Sequence, residues 1–304
     1  MTKTLNPDWI AVDWGTSNLR AWAMAANGTV LAEAVSDEGM GKLTPDGFEP
    51  ALLRLIGPWL DGYPPIIACG MVGSRQGWVE APYRTVPCTP LDAAALIPAP
   101  TLNPRLQVQI APGLMQAQPA DVMRGEETQI AGALHLMPGY DGVLCLPGTH
   151  SKWAHVSAGE VVSFQTFMTG ELFALLSTAS VLRHGMQGAG WDDEAFDTAV
   201  SHALSRPERL GARLFSLRAQ GLIAGLSPDA ARARLSGLLI GMELAGAKPY
   251  WLGQPVTLIG AEKLSSAYAR ALAAQGVQAQ RLSVTDCTLA GLASLSLQNK
   301  ANPQ

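Results

Sequence analysis

Cysteine is scarce in this sequence, and the few cysteines present are far apart. Only four occur among the 304 residues, no two of them form a Cys-x-x-Cys pair, and no histidine follows at zinc-finger spacing. The sequence therefore argues against a zinc-binding module. We interpret the four as reduced and mostly buried thiols of a cytoplasmic protein, at Cys69, Cys88, Cys145 and Cys287.

An excess of positive charge is also lacking. The formal net charge is -4, and no run of Lys or Arg forms a face that could follow a phosphate backbone. Nucleic acid is therefore disfavoured as a partner. An anionic substrate would have to be held by individual Arg, Lys and backbone amide groups, because the overall field weakly repels it.

Long apolar runs are missing as well. The first nine residues are polar and include Asp8, so they lack the basic start and apolar stretch of a signal peptide. No later segment reaches membrane-spanning length without a charge or a helix breaker. We predict a protein of the cytoplasm that has no membrane partner.

What is present is a globular composition with alternating strand and helix signals, which predicts an α/β fold. Hydrophobic residues make up 48% and charged residues 15% of the chain, and 304 residues exceed what one core usually serves. Strand patterns form an antiparallel meander at 9–13, 19–25 and 29–34, and a second meander at 142–146, 152–157 and 160–164.

This repeat predicts two related domains, because the order of elements recurs although the residues differ. We place the domains at residues 1–137 and 138–304. The last predicted helix, 287–297, either packs back onto the first domain or contributes to a homo-oligomer.

Each meander begins with a polar turn that could bind phosphate. Such turns present backbone N–H groups and hydroxyls to phosphate oxygens, and Asp13 at a strand end could hold Mg²⁺ through water. Either turn alone could be an ordinary hairpin turn, but two at equivalent positions favour a nucleotide. The turn residues are Gly15, Thr16 and Ser17 in the first, and Gly148, Thr149, His150 and Ser151 in the second.

A carboxylate pair stands at the predicted start of a helix. Glu126 and Glu127 could serve only the helix dipole there. A phosphoryl acceptor hydroxyl, however, needs a carboxylate that orients it and takes its proton. We therefore predict Glu126 as the catalytic base, with Glu127 as the second choice.

Several further residues are candidates for contact with substrate or nucleotide. Arg75 and Arg124 could each pair with a substrate carboxylate, since guanidinium binds carboxylate in a bidentate way. Gly260 and Ala261, where a strand runs into a helix, would lie beside adenine or ribose. The remaining candidates for the substrate pocket are Ser74, Trp78, Lys152 and Thr169.

Five motifs of the chain form a highly specific combination. They are Asp13-Trp14-Gly15-Thr16-Ser17, Cys69-Gly70-Met71-Val72-Gly73-Ser74, Gly125-Glu126-Glu127-Thr128-Gln129, Leu146-Pro147-Gly148-Thr149-His150-Ser151-Lys152-Trp153 and Phe167-Met168-Thr169-Gly170-Glu171. Taken together they resemble the 2-dehydro-3-deoxygalactonokinase family of the sugar kinase, Hsp70 and actin superfamily, and the resemblance extends over about residues 12 to 291.

The resemblance implies two actin-like, ribonuclease H-like domains with an interdomain cleft for ATP and substrate. It also implies phosphorylation of 2-dehydro-3-deoxy-D-galactonate at the 6-hydroxyl by MgATP, a step of galactonate degradation. Two alternatives stay open at this point. One is a kinase of another sugar acid such as 2-dehydro-3-deoxygluconate, and the other is a non-catalytic sensor of nucleotide or sugar acid.

Overall fold

The computed structural model of the protein describes residues 5–301. The described strands are β1 (Trp9–Trp14), β2 (Leu19–Met24), β3 (Val30–Ser36), β4 (Pro65–Cys69), β5 (Arg84–Thr85), β6 (Ile97–Pro98), β7 (Gln107–Ile110), β8 (Leu114–Gln116), β9 (Asp121–Met123), β10 (Gly142–Leu146), β11 (Ser151–Ser157), β12 (Glu160–Phe167), β13 (Val256–Ile259) and β14 (Gln280–Leu282). The described helices are α1 (Phe48–Ile56), α2 (Glu126–Leu136), α3 (Thr169–Thr178), α4 (Asp193–Ser205), α5 (Leu210–Ile223), α6 (Pro228–Gly246), α7 (Lys248–Trp251), α8 (Glu262–Ala273) and α9 (Val284–Ala301). Within this part of the chain, no helix has both the length and the apolar character that crossing a membrane requires.

The chain divides into two compact units. Unit 1 holds the described residues up to Tyr140, Ser157–Ser163 and the chain from Val284 onward, and unit 2 holds Asp141–Val156 and Phe164–Ser283. The last helix, α9, therefore belongs to the same unit as the first strands.

The main sheet of unit 1 has the strand order β3-β2-β1-β4-β7-β6. Strand β1 is antiparallel to β2 and parallel to β4, and Asp13 lies level with Arg20 on one side and with Cys69 on the other. Ile10, Val12 and Trp14 on one face of β1 and Trp9 and Ala11 on the other pack into two separate apolar clusters, so β1 is buried on both faces. Asp13 is thus placed at the edge where the parallel strands end.

The sheet of unit 2 repeats this arrangement, with the order β12-β11-β10-β13-β14. Strand β10 is antiparallel to β11 and parallel to β13, and β13 is parallel to β14. The predicted meander is therefore present twice, and the predicted α/β class is confirmed. Short strands in the Pro-rich segment were missed, since β5 and β6 are two residues long and carry no periodic signal.

Helices α2 and α9 of unit 1 approach each other at two glycines. A Cβ atom on Gly132 would lie 1.8 Å from the carbonyl oxygen of Cys287, and one on Gly291 would lie 2.1 Å from that of Thr128. Real Cβ atoms do not come so close to backbone oxygen, so this packing requires glycine at both positions. The start of α2, which carries Glu126 and Glu127, is held in place by this contact.

We expect Gly132→Ala and Gly291→Ala each to lower the free energy of unfolding by about 1–3 kcal/mol, because the helices must move apart. Urea unfolding followed by circular dichroism measures the change. Gly211→Ala in α5 is the control, since a Cβ atom there meets no atom within 4 Å. Equal stability of all three variants would contradict the packing argument.

Candidate active site

In unit 1, three loops meet beside Asp13 through two glycines with positive φ. Gly70 (φ 94°) follows β4, and Gly125 (φ 102°) precedes α2. A Cβ atom on Gly70 would lie 2.8 Å from the carbonyl oxygen of Trp14 and 3.4 Å from Oδ1 of Asp13. One on Gly125 would lie 3.3 Å from Cα of Gly70. These contacts bring the start of α2 to the end of β1.

Asp13 forms an ion pair through Oδ2 with Nη2 of Arg20 on the neighbouring strand, and both side chains are partly exposed. The turn that follows is closed by a 3.0 Å hydrogen bond from the Gly15 N–H to the carbonyl oxygen of Asn18. Thr16 and Ser17 are exposed at its tip. A Cβ atom on Gly15 would meet only Asn18 O, at 3.8 Å, so there is open space on that side of Gly15.

The two carboxylates at the start of α2 differ in burial. Glu127 is fully buried, and both of its carboxylate oxygens accept from the Gly125 N–H, at 2.9 and 2.7 Å. Burial, with a smaller contribution from the charge of Glu126, raises the pKa of Glu127 to about 8. The raised pKa favours the protonated form of Glu127, and its burial keeps the carboxyl away from solvent, so Glu127 is the weaker candidate for the base.

Glu126 is half-buried and retains access to solvent. Its Oε2 accepts a 3.1 Å hydrogen bond from the Arg124 backbone N–H. Of the two predicted carboxylates, only Glu126 combines accessibility with a fixed position.

The glycine-rich loop after β4 divides into buried and exposed residues. Trp78 is buried in the core, with its ring centroid 6.1 Å from that of Trp14 and 6.2 Å from that of Phe48. Ser74 is also buried. The Arg75 side chain is 79% exposed, with Nε 3.5 Å from Oε1 of Glu80. Core packing accounts for Trp78, and the substrate role of all three stays a prediction.

Arg124 is buried rather than displayed on the surface. Its Nη2 donates a 2.7 Å hydrogen bond to the carbonyl oxygen of Ala81, and its guanidinium lies 4.3 Å from the centre of the Tyr83 ring. Its Nε and Nη1 atoms are buried and have no hydrogen-bond partner among the residues described. A buried guanidinium with unpaired donors is costly, which keeps Arg124 a candidate for contact with an anionic group.

In unit 2, the turn between β10 and β11 is held by the first turn of α3. A Cβ atom on Gly170 would lie 2.3 Å from the carbonyl oxygen of Gly148. The Glu171 N–H donates to the carbonyl oxygen of Thr149 at 2.9 Å, and the Glu171 carboxylate lies 2.6 Å from Nε2 of His150. By contrast, a Cβ atom on Gly148 itself meets nothing within 4 Å.

The base of this turn is tied to a buried carboxylate, Glu243. Glu243 accepts hydrogen bonds from Trp153 Nε1 at 2.7 Å and from the Tyr268 hydroxyl at 2.6 Å. The Tyr268 hydroxyl also lies 3.0 Å from Ser151 Oγ, which accepts a 3.4 Å hydrogen bond from the Gly148 N–H. Burial raises the pKa of Glu243, and the surrounding donors act in the opposite direction.

A cavity of about 370 Å³ lies beside the Gly148 turn, wholly within unit 2. This volume is in the range of small-molecule sites, and most of the lining is apolar. Polar groups enter it from the predicted residues Gly148, Thr149 and Thr169. The sequence analysis missed the rest of the lining, which includes Gly170, Phe173, Trp191, Arg232, Ser236, Lys263, Leu264 and Ala267.

The predicted adenosine residues lie close to this cavity without lining it. A Cβ atom on Gly260 would be 3.3 Å from the carbonyl oxygen of Pro147, so the ends of β13 and β10 are adjacent. Ala261 is exposed, and Lys263, two residues further along, begins the lining of the cavity.

Lys152 is buried and donates from Nζ to the carbonyl oxygen of His150 at 3.3 Å.

A family model described as 2-keto-3-deoxy-galactonokinase matches residues 13–295. The chain belongs to this family. It is 39% identical over 294 residues to "Probable 2-dehydro-3-deoxygalactonokinase DgoK1" of Rhizobium meliloti (strain 1021). The aligned region covers 94% of this chain and 95% of that protein. It is 32% identical over 291 residues to the 2-dehydro-3-deoxygalactonokinase of Escherichia coli (strain K12), and the aligned region covers 95% of this chain and 97% of that protein.

Solved structures agree with this assignment. A crystal structure of a Sinorhizobium meliloti protein that carries the same kinase name has a TM-score of 0.89 and 37% identity, covering 97% of this chain and all of the other. The activator of 2-hydroxyisocaproyl-CoA dehydratase from Clostridium difficile is a more distant match, with a TM-score of 0.50 and 11% identity. The match covers 96% of this chain and 95% of that one, and it shows a similar fold alone. The predicted family, the actin-like fold class and the enzyme class, a kinase, are confirmed.

We expect the raised pKa of Glu127 to appear as a pH dependence of stability. The folded protein keeps the proton up to about pH 8, whereas the unfolded chain releases it near the ordinary value, so stability falls as the pH rises between these values. The fall is at most about 1.4 kcal/mol per pH unit. Glu127→Gln should remove it.

Urea unfolding at pH 5.5, 6.5 and 7.5 checks this expectation. The stability of the Glu127→Gln variant relative to wild type should improve steadily with pH. Glu208→Gln, at an exposed position, is the matched control and should track the wild type. Parallel pH profiles of wild type and Glu127→Gln would show that Glu127 is not the titrating group.

Proposed function

We propose that the protein transfers the γ-phosphoryl group of ATP to the 6-hydroxyl of 2-dehydro-3-deoxy-D-galactonate, in galactonate degradation. Family membership over residues 13–295 supports this substrate. The observation that carries the proposal is the cavity beside the Gly148 turn in unit 2, which offers a kinase a site for its nucleotide. No observation favours the sensor or another sugar acid.

The nucleotide is assigned to this cavity. Apolar side chains such as Phe173 and Leu264 suit a flat base. The backbone N–H group of Thr149 and the open space at Gly148, with the positive charges of Lys263 and Arg232, suit the phosphates. Ser151 forms a hydrogen bond with Tyr268, and His150 forms one with Glu171. We therefore propose that Ser151 and His150 position the turn.

In unit 1, Asp13 is assigned to Mg²⁺, and the backbone and hydroxyls of Gly15, Thr16 and Ser17 to phosphate oxygens. Mg²⁺ bound to a nucleotide usually takes one or two protein carboxylates, with phosphate oxygens and water as the other ligands. A single partly exposed carboxylate at a strand end fits that pattern. Among the described residues no cluster of three or more His, Cys, Asp or Glu could hold a metal ion by itself. When bound, Mg²⁺ would neutralise charge on the phosphates.

Glu126 is assigned the role of base. The 6-hydroxyl oxygen of the sugar acid attacks the γ-phosphorus, the bond from that phosphorus to the ADP oxygen breaks, and the hydroxyl proton passes to Glu126. Arg124, with two unpaired buried N–H donors, and Arg75 are assigned to the substrate carboxylate. We further propose that the enzyme works in the cytoplasm, where its four free cysteines stay reduced.

We expect Gly148→Ala to fold normally and yet to bind ATP at least about tenfold more weakly. The added methyl group meets no protein atom within 4 Å, but it occupies the space assigned to a phosphate. It therefore prevents the backbone from approaching that phosphate closely. The melting temperature and an ATP titration measure the two effects separately. Gly185→Ala, where a Cβ atom also meets nothing within 4 Å, is the control. Unchanged ATP affinity in Gly148→Ala would argue against this phosphate site.

We expect Glu126→Gln to lower kcat by about 10²–10⁴, because general base catalysis typically contributes that much. ATP affinity should stay near that of wild type, since the change leaves the nucleotide cavity intact. ADP release is followed with MgATP and a panel containing 2-dehydro-3-deoxy-D-galactonate and its gluconate epimer.

Glu127→Gln is the matched comparison for this experiment, because it alters the neighbouring carboxylate. A larger loss in Glu127→Gln than in Glu126→Gln would reverse the assignment of the base. Turnover of the gluconate epimer in preference to the galactonate compound would show that the gluconate epimer is the substrate. No turnover on the panel, with ATP still bound, would refute the proposed function.

A further inference from the structure

Unit 2 contains a second pocket, which we call the arginine pocket. It has a volume of about 320 Å³ and is formed by one face each of α4, α5 and α6. The α5 residues that line it are spaced three or four apart, as one helix face requires. Its polar lining residues are Thr198 and His202 from α4, Arg213, Ser216 and Gln220 from α5, and Arg234 from α6.

The arginine pocket is separate from the cavity beside the Gly148 turn. The two share no lining residue, although both use α6. Arg234 and Leu238 of that helix line the arginine pocket, whereas Arg232 and Ser236 line the other cavity. A ligand of the arginine pocket would therefore not compete for the groups assigned to the nucleotide.

The two guanidinium groups of the pocket are incompletely paired. Arg213 donates from Nη1 to Nδ1 of His202 at 3.2 Å, and Arg234 donates from Nη1 to Oε1 of Gln220. The Nε atom of each arginine is buried and has no hydrogen-bond partner in the described part of the chain. The Nη2 atom of each arginine donates no hydrogen bond to the described residues, so an added acceptor in the pocket can pair with both guanidinium groups.

Carboxylates are absent from the described lining of the arginine pocket, which includes no Asp or Glu. Helix α5 contains neither residue. Asp197, which neighbours Thr198 on α4, forms an ion pair with Arg270, with Oδ1 2.6 Å from Nε. Two positive charges thus share one pocket, although the net charge of the protein is -4. An anionic ligand would reduce the repulsion between the two guanidinium groups.

We propose that the arginine pocket binds the phosphate group of a small phosphorylated metabolite. A phosphate dianion matches two guanidinium charges, and the planar fork of arginine matches phosphate oxygens. The Thr198 hydroxyl also lines the pocket. The Ser216 hydroxyl donates to the carbonyl oxygen of Ala212 at 3.1 Å and can still accept a hydrogen bond from a sugar hydroxyl. A volume near 320 Å³ is at the small end of ligand sites, which limits the ligand to about the size of a sugar phosphate.

Calorimetric titration with glucose 6-phosphate tests the proposal, with MgADP present at saturation to occupy the nucleotide cavity. Wild type should bind the probe, and the double variant Arg213→Gln/Arg234→Gln should bind it at least about tenfold more weakly, because charge-assisted hydrogen bonds are lost. Arg218→Gln, on the same helix α5 but outside the pocket, is the matched control and should bind like wild type.

Two results would overturn the proposal: no binding by wild type, or equal affinity in wild type and the double variant. Gluconate binding as tightly as glucose 6-phosphate would refute phosphate as the recognised group. If the double variant does not fold, Arg213→Lys and Arg234→Lys replace it, since lysine keeps the charge but loses the fork. Unchanged affinity in both would again overturn it. None of these results depends on kinase turnover, so failure here leaves the proposed function standing.

Discussion

The buried carboxylate of Glu243 is the interaction on which the candidate site of unit 2 depends. A carboxylate removed from water must be satisfied by donors, and here they come from strand β11 through Trp153 and from helix α8 through Tyr268. Tyr268 in turn contacts Ser151 at the base of the polar turn. One polar group in the core therefore couples a strand, two helices and the turn assigned to phosphate.

Unit 1 reaches a comparable result through close backbone contacts at glycine. Gly70 and Gly125 allow the ends of β4 and β9 to approach β1, and Gly132 and Gly291 allow α9 to press against α2. Without side chains in the way, backbone contacts fix where α2 begins. The consequence is that Glu126 and Glu127 lie at the same edge of the sheet as Asp13.

Much of this arrangement could be predicted because its signals are local. Strand patterns at 9–13, 19–25 and 29–34 predicted the first meander, and the strand 142–146 was predicted with the bounds that β10 has. The polar turns followed from the strands, since the residues between two adjacent strands must form the turn. The small sheet of β5, β8 and β9 escaped prediction, because strands of two or three residues show no period.

The sequence by itself determined the order of the main strands and helices, the family and the two polar turns, because each depends on neighbours along the chain. It could not decide between Glu126 and Glu127, which are adjacent carboxylates in one helical turn. Only tertiary packing buries Glu127 and leaves Glu126 half-buried. The same holds for the arginine pocket and for the cavity beside the Gly148 turn, since each lining combines side chains from several elements that only tertiary packing brings together. Burial and charge balance arise from such long-range contacts, and no local pattern encodes them.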